Sequence, residues 1–233
     1  MDERKEKMVL VIQANIGAGK SELLKRLANM GLKTICEPIE KWGELLEREK
    51  EGRGEDYSVH LQTRICHVLI ERETEIREKL IDNEAVFIER DLDSAINIFI
   101  PTAKNNNTIS GEGLETLQTM CYSLKKLEKL EDEIWEREHG YKIRREIIYL
   151  KTNPKTCFER IKKRNQQGDN TITQKYVNDI HEQHESWLNG QSRMTIAEEN
   201  QNQWAEIIWN MMQTKIATWN RDQESGAPSA SPF

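Results

Sequence analysis

The sequence predicts an α/β fold, a five-stranded parallel sheet covered by helices. Three observations predict it. Short apolar runs alternate with long amphipathic stretches along the 233 residues. The first run leads into A-x-x-x-x-G-K-S, Ala14 to Ser21, just where a helical stretch opens. The next two runs end in charged residues, Glu37 and then Glu89-Arg90. Such alternation buries strands on both faces under helices.

The apolar runs predict strands over 8–12, 33–36, 85–88, 146–150 and 194–197. Helical spacing covers 21–29, about 59–81, 113–138, 154–164, 174–188 and 203–219. Pro154 suits a first helical turn, and the polar run 165–171 (NQQGDNT) reads as a lid loop. One domain over 1–220 is expected, with a disordered tail over 221–233 where Ser, Pro and Gly accumulate. In the long charged helix, Leu117, Met120, Leu124, Leu127 and Ile134 stand at roughly heptad spacing. That stripe serves either a contact with a second subunit or packing on the chain's own sheet.

Composition excludes several classes. Charged residues make up 32% with a formal net charge of −6, which gives no general attraction for nucleic acid or anionic lipid. No apolar run reaches membrane-spanning length, so no membrane partner is expected. Cys36, Cys66, Cys121 and Cys157 are scattered without a C-x-x-C pair, which fits a reducing, cytoplasmic setting better than a disulfide framework or zinc site. The run 8–12 is too short for a signal-peptide core, and Asp2, Glu3 and Glu6 do not suit a transit peptide. In His181-Glu182-Gln183-His184-Glu185 the histidines stand three apart, not the four of a zinc-protease helix.

The chemistry concentrates at strand ends. Asn15, Ile16, Gly17, Ala18, Gly19, Lys20 and Ser21 form a phosphate loop between strand and helix, a context that makes the motif specific. Glycines admit backbone amides to the phosphates of ATP, the helix N-terminus favours anions, Lys20 adds a cation, and Ser21 can ligate Mg²⁺. Ligands of open parallel sheets lie beyond the strands' carboxyl ends. There Glu37 can take a proton from a hydroxyl, Glu89 can hold Mg²⁺, and Arg90 can neutralise charge or orient Glu37. Each is an ordinary surface charge when taken alone, but their shared location beside a phosphate loop points to function. Arg160 to Arg164 (RIKKR) runs into the polar loop, either as a phosphoryl clamp or as a solvated basic helix end.

Taken together, NIGAGKS, EPIEKW, the Gln62 helix, IERDLDSA, IYLKTNPKTCFERIKKR and KYVNDIHEQHESWL resemble the deoxynucleoside kinase family, nearest its insect multisubstrate and mitochondrial thymidine kinase branch, over about residues 8–200. The resemblance implies a P-loop kinase fold, usually a homodimer, that moves the γ-phosphoryl of ATP to a deoxynucleoside 5′-hydroxyl. It makes Glu37 the base, Arg90 its partner, Ser21 and Glu89 the Mg²⁺ residues, and Arg160 and Arg164 lid arginines on ATP. Lys20 and Arg164 are the cations expected to serve the transfer itself. Gln62 matches the residue that reads the base edge, with Trp42 and Phe99 flanking the base. Relatives that favour cytidine or purines carry Arg and Asp where this chain has Leu69 and Ala95, so thymidine and deoxycytidine are the expected substrates.

Several positions depart from the family pattern. Gln13-Ala14 replaces Glu-Gly, Glu89-Arg90-Asp91 replaces Glu-Arg-Ser, and Ile96-Asn97 replaces Arg-Tyr. Gln166 stands for a second lid arginine, and Asp169 for the glutamate that holds the 3′-hydroxyl. The tyrosine sharing that hydroxyl has no clear counterpart in EREKEGRGEDY. These departures leave two other functions in view: a kinase-fold structural or regulatory subunit, and a thymidylate kinase.

Overall fold

The computed structural model describes residues 5–45, 55–164, 169–191, 194–196 and 201–225. Five strands form one parallel sheet: β1 (Lys5–Ala14), β2 (Lys33–Ile35), β3 (Ala85–Glu89), β4 (Tyr141–Leu150) and β5 (Met194–Ile196), in the order β2-β3-β1-β4-β5. The longer helices are α1 (Lys20–Asn29), α2 (Glu55–Ile81), α3 (Gly111–His139), α4 (Pro154–Arg164), α5 (Gln174–Leu188) and α6 (Gln201–Ser225). The expected α/β class and five strands are present. The last helix runs five residues past the expected domain boundary at 220, and residues 226–233 of the expected tail lie outside the described residues.

β1 is central, and its side chains alternate between two cores. Met8, Leu10, Ile12 and Ala14 pack with Leu23, Leu24 and Leu27 of α1 and Trp204, Ile208 and Met212 of α6. Val9 and Val11 pack on the other face with Ile76 and Leu80 of α2 and Trp135 of α3. Burial on both faces explains an almost unbroken apolar run.

Two charged devices fasten the second face. Lys7 is buried; its Nζ donates to the carbonyls of Leu80 (2.6 Å) and Ile81 (2.8 Å) and lies 4.3 Å from the Tyr141 ring centre. A cation there satisfies the carbonyls at the end of α2. Arg145 of β4 binds Glu73 of α2 and Asp132 of α3, and Arg77 of α2 binds Asp132 and Glu131. β4 begins at Tyr141 rather than the expected 146: its first half mixes exposed Lys142 with Arg145, whose charge faces carboxylates inside the protein, which hides the strand pattern.

One helical segment goes beyond the sequence expectation. Residues 92–105 form an α turn (Leu92–Ser94), a π turn (Ala95–Phe99) and another α turn (Ile100–Asn105). The π turn inserts an extra residue and Pro101 removes a donor, so the apolar positions keep no steady 3.6 period. This segment, α2 and α3 enclose a third core of Cys66, Leu69, Leu92, Ala95, Ile100, Leu117 and Cys121. The α3 stripe divides: Leu117 is buried there, Met120 and Leu124 pack against it, and Leu127, Leu130 and Ile134 are exposed.

Candidate active site

The loop after β1 turns sharply into α1. Gly17 has φ +76°, and a Cβ there would meet the Cys157 carbonyl oxygen at 2.5 Å and Ile161 Cγ1 at 2.7 Å. Glycine is therefore demanded by α4 pressing on the loop. Gly19, at φ +105°, is the N-cap of α1, and no side-chain cap bond is made there among the described residues. The first amides of α1 thus remain available to an anion. Ala14 is buried in the core cluster, so the methyl that replaces the family glycine packs inward. Asn15 donates from Nδ2 to the Val177 carbonyl and accepts from the Ile16 amide, which ties the loop to α5.

Lys20 is buried, and its Nζ donates to the carbonyls of Asn15 (3.1 Å) and Ala14 (3.3 Å). Burial, reinforced by Arg90, pulls its pKa down to about 8, against Glu89 and Glu37, which raise it. Glu89 stands at the junction of the site. It accepts from Ser21 Oγ at 3.0 and 3.1 Å and from the Glu37 amide at 3.3 Å, and lies 3.8 Å from Lys20 Nζ. A hydroxyl and a carboxylate side by side are hard oxygen donors that fit Mg²⁺. Arg90 donates to Glu37 Oε2 at 2.5 Å, and both side chains are nearly closed to solvent. Its backbone is left-handed (φ +56°) and its guanidinium lies 4.7 Å from the Phe99 ring centre.

The residues expected on the acceptor side include several on or against α2. Gln62 is buried and its Oε1 has no hydrogen-bond partner among the described residues. A buried amide oxygen left unpaired is costly, which marks Gln62 as a candidate for pairing with a ligand donor. Trp42 packs with Leu61 and Val68 of α2, while Leu69 and Ala95 meet in the third core.

Two expected residues meet each other instead of standing apart. Arg164 grips Asp169 with a two-point ion pair, Nε to Oδ2 at 2.7 Å and Nη2 to Oδ1 at 2.8 Å, whereas the sequence reading gave one to ATP and the other to the sugar. The two stand five residues apart in the sequence, and the Asp169 side chain is buried while that of Arg164 is partly exposed. Arg160 donates to the Ala18 carbonyl at 3.1 Å, bracing the phosphate loop. Gln166 lies outside the described residues. His184 is buried in α5, its Nδ1 2.8 Å from the Ile180 carbonyl and its ring stacked on Tyr149.

Sequence reasoning missed Arg72 and Ser94. Arg72 occupies the apolar face of α2 with Leu61, Val68, Leu69, Ile76 and Leu80, and an arginine on such a face was the available signal. Its guanidinium donates to the carbonyls of Cys36 (3.3 Å), Glu89 (3.0 Å) and Arg90 (2.6 Å). Ser94 closes a capping box with Asp91 and also binds Gln13.

Comparison with known proteins places the chain among known families. A family model described as deoxynucleoside kinase matches residues 10–219. Human "Thymidine kinase 2, mitochondrial" is 25% identical over 192 residues, covering 80% of this chain and 66% of that protein. The probable deoxycytidine kinase of fowlpox virus is 29% identical over 180 residues (76% of this chain, 70% of the relative). Human deoxycytidine kinase is 28% identical over 204 residues (76% and 74%). The match thus spans just under two thirds of the mitochondrial relative's length. With a parallel sheet, a phosphate loop and charged strand ends in the matched region, the chain belongs to the deoxynucleoside kinase family.

Proposed function

We propose that this chain transfers the γ-phosphoryl group of Mg-ATP to the 5′-hydroxyl of a deoxynucleoside, with thymidine and deoxycytidine preferred. The observation that carries this reading is Glu89, bonded at once to Ser21 of the phosphate loop and to the amide of Glu37. It joins a phosphate-binding half to a half that holds a base for a hydroxyl.

ATP with its Mg²⁺ supplies the transferable phosphoryl group and much of the charge neutralisation. The uncapped start of α1 and Lys20 hold phosphate oxygens, and Ser21 with Glu89 offers the metal its oxygens. Glu37 takes the proton from the attacking hydroxyl, and Arg90 keeps the carboxylate oriented and stabilises charge at the same oxygen. Gln62 reads the base edge through one donor and one acceptor, which suits a pyrimidine. Trp42 and Phe99 flank the base. Leu69 and Ala95, packed in the third core, supply an apolar wall that suits the thymine methyl. Arg160 and Arg164 serve the phosphates, and Asp169 the 3′-hydroxyl, once the Arg164–Asp169 pair exchanges partners.

The family relatives named for thymidine and deoxycytidine support the pyrimidine preference. The test is phosphorylation of the four deoxynucleosides and thymidine monophosphate by the purified protein with ATP and Mg²⁺. Thymidine and deoxycytidine are expected to be the best acceptors. Faster turnover of deoxyguanosine than of thymidine overturns the preference, and faster turnover of the monophosphate overturns the acceptor class.

A homodimer is part of the same proposal, with a second copy covering Leu127, Leu130 and Ile134 on α3. Sedimentation should give a dimer that L130E shifts toward monomer. We also propose a cytoplasmic location, supported by the free thiols of Cys66 and Cys121 standing 3.7 Å apart. Recovery of the protein in the mitochondrial fraction of cells overturns it.

A further inference from the structure

We propose that Arg72 is a positioning residue of the phosphoryl transfer, holding the Glu37–Arg90 pair in its reactive geometry by gripping the backbone at the ends of β2 and β3. The inference rests on the function proposed above, and it assigns to α2 a second task besides carrying Gln62.

The geometry is specific. Arg72 Nη1 binds the carbonyls of Cys36 and Glu89, and Nη2 binds that of Arg90. Cys36 immediately precedes the base Glu37, so one guanidinium tethers the backbone on both sides of the Glu37–Arg90 ion pair. Arg90 needs such a tether. Its left-handed backbone is unfavourable for a residue with a long side chain and persists only where surrounding contacts over-determine it. The bond from Nη2 to the Arg90 carbonyl, with the Arg90 amide bonded to Ile12, supplies those contacts.

The choice of residue also has a physical reason. A planar fork donates in several fixed directions at once, which one ammonium on a flexible stem does not reproduce. Burial opposes its charge, while the carboxylates of Glu37, Glu73, Asp91 and Glu89 favour it. The guanidinium thus spreads positive potential beneath the base as well as fixing its backbone. Arg72 lies ten residues after Gln62 on one continuous helix, about 15 Å along its axis at 1.5 Å per residue. That spacing makes α2 a rigid link between base recognition and the reacting end.

The test compares R72M and R72K with the unaltered protein, using steady-state kinetics and hydrogen exchange of the Glu37 and Arg90 amides. R72M is expected to lower kcat ~100-fold, the scale of a misplacement near 1 Å, with KM for ATP within about threefold. R72K is expected to recover part of that loss. Exchange at the two amides should rise about tenfold or more in R72M while the β1 amides stay protected. A folded R72M or R72K whose kcat lies within twofold of the unaltered protein overturns the proposal, as does a loss of melting temperature with unchanged kinetics. Should R72M not fold, R72K carries the kinetic comparison alone. If the unaltered protein phosphorylates no deoxynucleoside, the proposed function fails. Exchange then decides the positioning role, and unchanged exchange in R72M overturns it.

Discussion

Gln13 donates from Nε2 to Asp91 Oδ1 across 3.1 Å, so two residues that each depart from the family pattern are partners in the fold. Where the family resemblance leads one to expect an acid on β1 and a serine after the arginine, this chain carries an amide on β1 and the acid after the arginine. In this chain the carboxylate of the pair, Asp91, is buried. Burial, with Asp93 adding to it, raises the Asp91 pKa to about 7, and Ser94 and Gln13 satisfy its Oδ1 oxygen.

This pairing predicts a strong coupling. Q13E sets a second buried carboxylate against Asp91 and is expected to cost about 2 kcal/mol or more of stability. Adding D91S to Q13E leaves one buried carboxylate at the contact and should recover at least half of that loss. A double-mutant cycle by urea unfolding measures it. Additive losses from the two changes would show that the contact carries no energy.

Glu37→Gln is expected to lower kcat by roughly 10²- to 10⁴-fold while ATP affinity stays nearly intact. The amide keeps the shape but neither takes a proton nor pairs with the charge of Arg90, 2.5 Å away in the unaltered protein. Titration calorimetry with ATP and single-turnover kinetics with thymidine separate the two effects. An unchanged rate removes Glu37 from the mechanism.

Gln62→Leu separates recognition from stability. The unpaired Oε1 of Gln62 is a buried liability worth about 1 to 3 kcal/mol, so its removal should leave melting temperature equal or higher. KM for thymidine should nonetheless rise about 10-fold or more, because the base loses its hydrogen-bonding partner. A lower melting temperature with unchanged KM makes Gln62 a core residue only.

His184 predicts an acid sensitivity. Burial pushes its pKa down to about 3, with Arg90, Lys20 and His181 adding to the effect against the carbonyl of Ile180. Above about pH 6.5 the residue is neutral folded or unfolded, and its full contribution is present. As pH falls below that value the unfolded chain takes up a proton that the fold refuses, so stability is lost progressively toward pH 3. Between pH 6.5 and 5 the loss is about 2 kcal/mol. H184Q should lack that part of the decline in urea unfolding measured across this range. Parallel pH profiles for the two proteins would contradict the burial argument.

The residues alone carried much of this account. Runs of apolar residues located all five strands because a sheet buried on both faces needs them, and the strand-loop-helix order around Lys20 and Ser21 located the phosphate loop. Glu37, Glu89 and Arg90 were legible because a parallel sheet delivers its strand ends to one edge. The first half of β4 and the 92–105 segment were not legible. Arg144, Arg145 and Glu146 meet opposite charges inside the protein or on neighbouring strands, and the π turn breaks the helical period.

What tertiary structure decided is the pairing. Local pattern identifies a charge, but not which distant group will neutralise it. Arg72 meeting the ends of β2 and β3, Gln13 meeting Asp91, and Arg164 meeting Asp169 each depend on where the backbone brings polar groups together out of water. Burial then makes those contacts obligatory, since a polar group withdrawn from water must find its partner within the fold.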